Sequence, residues 1–109
     1  MRDGQREWTR ELWEFTNRNA GRRTILEVND PGFGAQEEET DYPLKGVSFD
    51  PRDHRVQIML GEEGSVDQHL THSIEAAERI DILSSPDGRD EVLRIVHGGS
   101  QTLLRFVRA

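Results

Sequence analysis

A change of period at Gly21 to Arg23 constrains this chain more than any other feature. Before it, EWTRELWEFTNRNAG (residues 7–21) sets Leu12, Trp13 and Phe15, with Thr16 beside them, in a one-sided stripe at helical spacing. After it, apolar and polar residues alternate in short runs. Side chains point to opposite faces on successive strand residues and recur every 3.6 residues on a helix, so the second pattern buries one face only as a sheet. One helix (about 9–20) followed by a β-rich region (23–108) is the order of an α+β domain. Thr9 is the expected N-cap, and Trp8 and Trp13 have the spacing of a hydrophobic staple. Leu12 stands where a capping box would carry Glu or Gln, and Gly21 is the expected stop.

The alternating runs are punctuated by turn chemistry. RTILEVND ends at Asn29-Asp30-Pro31-Gly32, and PLKGVSFD and HRVQIML flank Asp50-Pro51-Arg52-Asp53, with Pro at the favoured second position of a type I turn. Val56, Ile58 and Leu60 share one face of their strand. Val47 and Phe49 are in phase with each other but not with Leu44, and Gly46 is the expected bulge that absorbs the slip. GFGAQEEETDY reads as a polar loop. ERIDIL continues the alternation, and EVLRIVH and SQTLLRF flank Gly98-Gly99, a two-residue hairpin loop. That register sets Leu93 opposite Leu104 and Ile95 opposite Thr102 on the core face, with Arg94 and Arg105 together on the other.

The expected architecture is an N-terminal helix packed on a bent antiparallel sheet of five or six strands. The order of helix, TILEV, LKGVSFD and HRVQIML is similar to that of SH3-like and Sm-like small barrels, which would be its closed form; an open sheet crossed by the helix is the other. At 109 residues the chain has room for a single domain, 1–109. Hydrophobic residues make up 33% against 32% charged, so the core is small and a partner subunit is expected to complete it. With no cysteine, disulfides, thiolate zinc sites and cysteine nucleophiles are excluded. No apolar run approaches the length of a membrane span, and the start has no signal-peptide core, so the expectation is a cytoplasmic protein with no membrane partner. Residues 1–23 and 89–109 each carry a net charge of +2 and residues 24–88 carry −11. An acidic middle repels phosphate backbones, which disfavours nucleic acid and, with it, Sm-like RNA binding.

Five runs in this order, GAQ (34–36), PLKGVSFD (43–50), HLTHSI (69–74), DEVLRI (90–95) and TLLRF (102–106), resemble the uncharacterised bacterial family DUF5335. The resemblance spans the Trp8 region to Phe106. It implies a bacterial, free-standing small domain and brings no catalytic residues. Relatives carry a proline-containing turn after the HLTHSI-like run, where this chain has EAAE.

The chemistry-bearing candidates centre on DQHLTHSIE (67–75). If SVDQHLTHSIEAAERI is a helix, Ser65 and Gln68 form its capping box, and His69, His72 and Glu75 step along one flank as an H-x-x-H-x-x-E ligand set. If 69–74 is a strand, Leu70, His72 and Ile74 share one face, His69 lies on the other, and the two imidazoles cannot hold one ion. Periodicity favours the helix and the resemblance favours the strand; the strand is the expectation, with a loop at 61–68 before it. Glu37 to Thr40 is an acidic run suited to a loop. There is no G-x-S-x-G elbow, H-E-x-x-H helix or phosphate-cradling loop, so no catalytic residue and no cofactor is assigned. The expected function is non-enzymatic, through protein association or homo-oligomerisation. The alternative is a small-molecule or metal-dependent role for His69 and His72, with His54 as a third candidate.

Overall fold

In a computed structural model describing residues 3–32, 34–62 and 69–107, one helix precedes seven strands. The side chains of residues 3–6, 35–40 and 69 fall outside that description. The elements are α1 (Asp3–Asn19), β1 (Arg23–Asp30), β2 (Gly34–Asp50), β3 (Arg55–Gly61), β4 (His69–Ile74), β5 (Arg79–Ser84), β6 (Asp90–His97) and β7 (Ser100–Phe106). All strands pair antiparallel in one sheet ordered β4-β3-β2-β1-β7-β6-β5. The helix-on-sheet architecture is as expected, but the sheet has seven strands rather than five or six. Nor is it closed into a barrel: β4 and β5 are its two edges.

The two edge strands fall on HLTHSI and on the RIDIL part of ERIDIL, runs already expected to be extended, so the difference lies in counting both into the one sheet. β4 and β5 pair with one neighbour each, so neither needs the apolar run of a central strand. The polar loop expected at 32–42 is also corrected, because residues 34–42 belong to β2, which pairs with β1. β2 serves both halves of the sheet: its first part pairs with β1 and Leu44–Asp50 with β3. Its Gln-Glu-rich half gains ladder hydrogen bonds without an apolar face, which leaves no alternation to read.

Where alternation was legible, the register follows it. Leu93 pairs with Leu104 and Ile95 with Thr102, and all four are buried. Gly98 and Gly99 both have positive φ, as a type I′ hairpin turn requires. The β2–β3 register slips between Leu44 and Gly46, so the expected bulge is present and returns Val47 and Phe49 to the core face. Arg94 and Arg105 lie outside the core, but each meets an acid: Arg94 Nη2 is 2.9 Å from Asp81 and Arg105 Nε is 3.3 Å from Glu27. The basic outer face is therefore neutralised locally.

The helix begins at Asp3, so Thr9 is an interior residue and not a cap. Trp8, Leu12, Phe15 and Asn19 recur at intervals of four, three and four, and that row faces inward. Leu12 and Phe15 are fully buried, each burial stabilising by roughly 1.5–3 kcal/mol. Trp8 meets Phe49 edge to face at 5.0 Å between centroids, and Phe15 meets Phe106 at 5.8 Å. Trp13 sits off the row and is 65% exposed, so it neither joins the stripe nor closes a staple. Thr16 Oγ1 donates to the Val47 carbonyl (3.1 Å) and accepts from the Val47 N–H (2.9 Å), stitching α1 to β2 just past the bulge. At Gly46 an added Cβ would lie 3.3 Å from Thr16 Cγ2, so the absent side chain is what lets the helix approach.

Candidate functional site

The strand expected at 69–74 is present as β4, and the helical alternative is overturned there. Its even positions face the core: Leu70 pairs with Leu60, His72 with Ile58 and Ile74 with Val56, whereas Thr71 and Ser73 are exposed. His69 pairs with Gly61 and has the opposite parity to His72; its side chain lies outside the described residues, as do residues 63–68 of the expected loop and the Ser65–Gln68 pair. Glu75 is exposed beyond the strand, with Oε2 3.6 Å from Arg55 Nη1. His54 is exposed in the β2–β3 turn, at φ 51° and edge-on to Phe49. Among the described residues no three of the metal-ligating types come together. The acidic side chains of 37–40 lie outside the description.

What His72 does approach is His97, at the end of β6. His97 Nε2 lies 2.9 Å from Oγ1 of the fully buried Thr102. Burial and then the neighbouring His72 hold the His97 imidazole below the ordinary histidine range, against an opposing pull from Glu78. His97 was overlooked in the sequence although the signal was there, since it continues the inward parity of Leu93 and Ile95 up to the Gly-Gly turn.

A second constellation gathers at the exit of the helix. Asn19, 2% exposed, donates through Nδ2 to the Phe15 carbonyl (2.8 Å) and to Asp90 Oδ2 (2.7 Å), and accepts through Oδ1 from Arg22 Nη1 (2.8 Å). Arg18 Nε also donates to Asp90 Oδ2 (2.8 Å), and Arg22 Nη1 donates to the Asp90 carbonyl (2.9 Å). Burial raises the Asp90 carboxyl pKa, but the hydrogen bonds from Arg18 and Asn19 and the charges of Arg18 and Arg22 outweigh it and hold the group low. The Arg22 guanidinium lies over Phe106, 4.1 Å from the ring centroid. Burial and then the nearby Arg89 lower its pKa, opposed by Asp90 and Asp87. Arg22, Arg89, Phe106 and Val107 line a cleft of about 400 Å³ at this point. Sequence reasoning missed the group because Asn19 is a polar residue ending the helix's inward row, and Arg22 and Arg89 sit beside turns and carry no period; the fold alone brings them together.

The third feature is a groove of about 300 Å³ along the α1–β2 seam. Trp13, Val47, Phe49 and Met59 contribute apolar lining, and Thr9, Thr16 and Lys45 line it as well.

The model of DUF5335, a family of unknown function, matches residues 4–109, and the chain belongs to that family. No curated protein and no solved structure matches it.

Proposed function

We propose that this member of DUF5335 is a non-enzymatic interaction domain that works by self-association, with the groove beside Trp13 as its contact surface. The supporting observation is a tryptophan left 65% exposed at the edge of an apolar groove. Tryptophan has the largest apolar area of any side chain and is enriched among the residues that anchor interfaces. The edge strands β4 and β5, each paired on one side only, offer further main-chain donors and acceptors to a neighbour. The unequal charge of the segments, +2 for residues 1–23 against −11 for 24–88, lets basic and acidic regions of two copies face each other. Sedimentation velocity over a wide concentration range tests the reading. Wild-type protein is expected to associate, and Trp13→Ala to weaken association by at least about tenfold with its circular dichroism unchanged. A wild-type chain that stays monomeric throughout would overturn it.

A second reading gives His72 a metal or small-molecule role. The observation favouring it is that the parity of β4 turns His72 to the core side, the side on which His97 meets the buried Thr102. Elemental analysis of purified protein, with His72→Ala as control, separates the readings: no bound metal and unchanged stability would remove this one.

A further inference from the structure

We propose that the cleft between Arg22 and Arg89 binds a monocarboxylate with an apolar body. Arg22 is held as a receptor group and not as a mobile surface cation. Both donors of Nη1 are engaged, by Asn19 Oδ1 and the Asp90 carbonyl, and the guanidinium plane rests on Phe106. These contacts fix the orientation of the fork and occupy one of its nitrogens. Nε and Nη2 donate to no acceptor among the described residues. They are adjacent and parallel, which is the donor pair a carboxylate accepts from with both oxygens.

Arg89, from the turn between β5 and β6, lines the same cleft, and its charge is felt at Arg22. Two cations facing one space repel, and an anion seated between them relieves that repulsion. The acids in the wall decide how much negative charge is tolerated. Asp90 is taken up by Arg18 and Asn19, while Asp87 accepts from Ser85 Oγ and the Arg89 N–H and so holds the turn. With Asp87, Asp90 and Glu91 lining the wall, a phosphate dianion meets repulsion that a single carboxylate largely escapes. Phe106 and the half-exposed Val107 supply apolar surface beside the fork, and the cleft has room for a ring-sized body. The ligand class that fits is an aryl or alkyl monocarboxylic acid.

Titration with phenylacetate, followed by calorimetry and by the Arg22 Nε–Hε resonance, tests this. Phenylacetate is expected to bind saturably and to shift that resonance, with phenylacetamide and inorganic phosphate at least about tenfold weaker. Arg22→Lys keeps the charge and removes the fork, and is expected to abolish binding. Arg89→Ala changes an exposed side chain, so it should melt like wild type and bind roughly fivefold more weakly. No saturable binding of phenylacetate, equal binding of the amide or of phosphate, or unchanged affinity in a normally folded Arg89→Ala would each overturn the assignment. The cleft shares no residue with the groove at Trp13, so Trp13→Ala leaves this titration unchanged and the two proposals fail separately.

Discussion

The side-chain amide of Asn19 donates to the Asp90 carboxylate at 2.7 Å, tying the last residue of the helix to the first residue of β6. The contact spans 71 positions, and each partner is satisfied through the other. Removing either one strands polar atoms where water has little access. Asn19→Ala and Asp90→Ala are each expected to destabilise the fold by about 2–3 kcal/mol in urea denaturation. The double variant should cost less than the sum, because the second truncation removes the group that the first left unpaired.

Thr16 holds the other flank of the helix through one hydroxyl that both donates and accepts. Thr16→Val preserves shape and leaves the Val47 N–H and carbonyl without that partner. The expected loss is about 1–2 kcal/mol, whereas Thr16→Ser retains most of the stability. Equal stability for the valine and serine variants would show that the hydroxyl contributes nothing.

Ala76, in the link between β4 and β5, sits at φ 55°, a region costly for any residue with a Cβ. This turn therefore holds a small residue in a left-handed conformation. Ala76→Gly relieves that strain and gives back part of it through the freer unfolded chain. A net gain of about 0.5–1 kcal/mol is expected, read as a rise in the denaturation midpoint without a change in slope.

Stability should fall in two stages as the solution is acidified. The folded-state pKa of His97 lies below the ordinary value of 6.5, so between the two the unfolded chain holds the extra proton. Stability is therefore fully present above pH 6.5 and declines as pH drops below it. Asp90 and Asp81 are held below the ordinary 3.8, the latter chiefly by its hydrogen bond from Arg94, so their contribution is lost as pH falls further from that value. His97→Gln removes the titrating group and should flatten the first stage in a series of thermal melts while leaving the second.

What could be read in the sequence is what burial periodicity encodes. The alternation of Val56, Ile58 and Leu60, the Gly98-Gly99 hairpin and the bulge at Gly46 all follow from one apolar face meeting a core. The parity of β4 was legible too, once the strand was chosen, and it decided that His72 turns inward. Two kinds of feature left no such trace. The Gln-Glu-rich half of β2 is held by backbone hydrogen bonds and has no apolar face, so it looked like a loop. Trp8 and Trp13 matched a staple by spacing, but the helix continues through Thr9, and only the Trp8-Leu12-Phe15-Asn19 row meets the sheet. The Asn19-Arg22-Asp90 group depends on contacts across about seventy positions, which no local pattern records.

The sheet order has a consequence for how the chain assembles. Residues 23–74 and 79–106 each form a run of strands that pair with their sequence neighbours, and the β1–β7 ladder is what joins the two runs. Local hairpins close cheaply, while a ladder between the first and last strands requires the longest loop closure in the molecule. Folding is thus expected to end with two preformed meanders docking along β1 and β7. The chain crosses between them only at Glu75–Glu78, which makes that link the natural place to divide the protein into two fragments that reassemble.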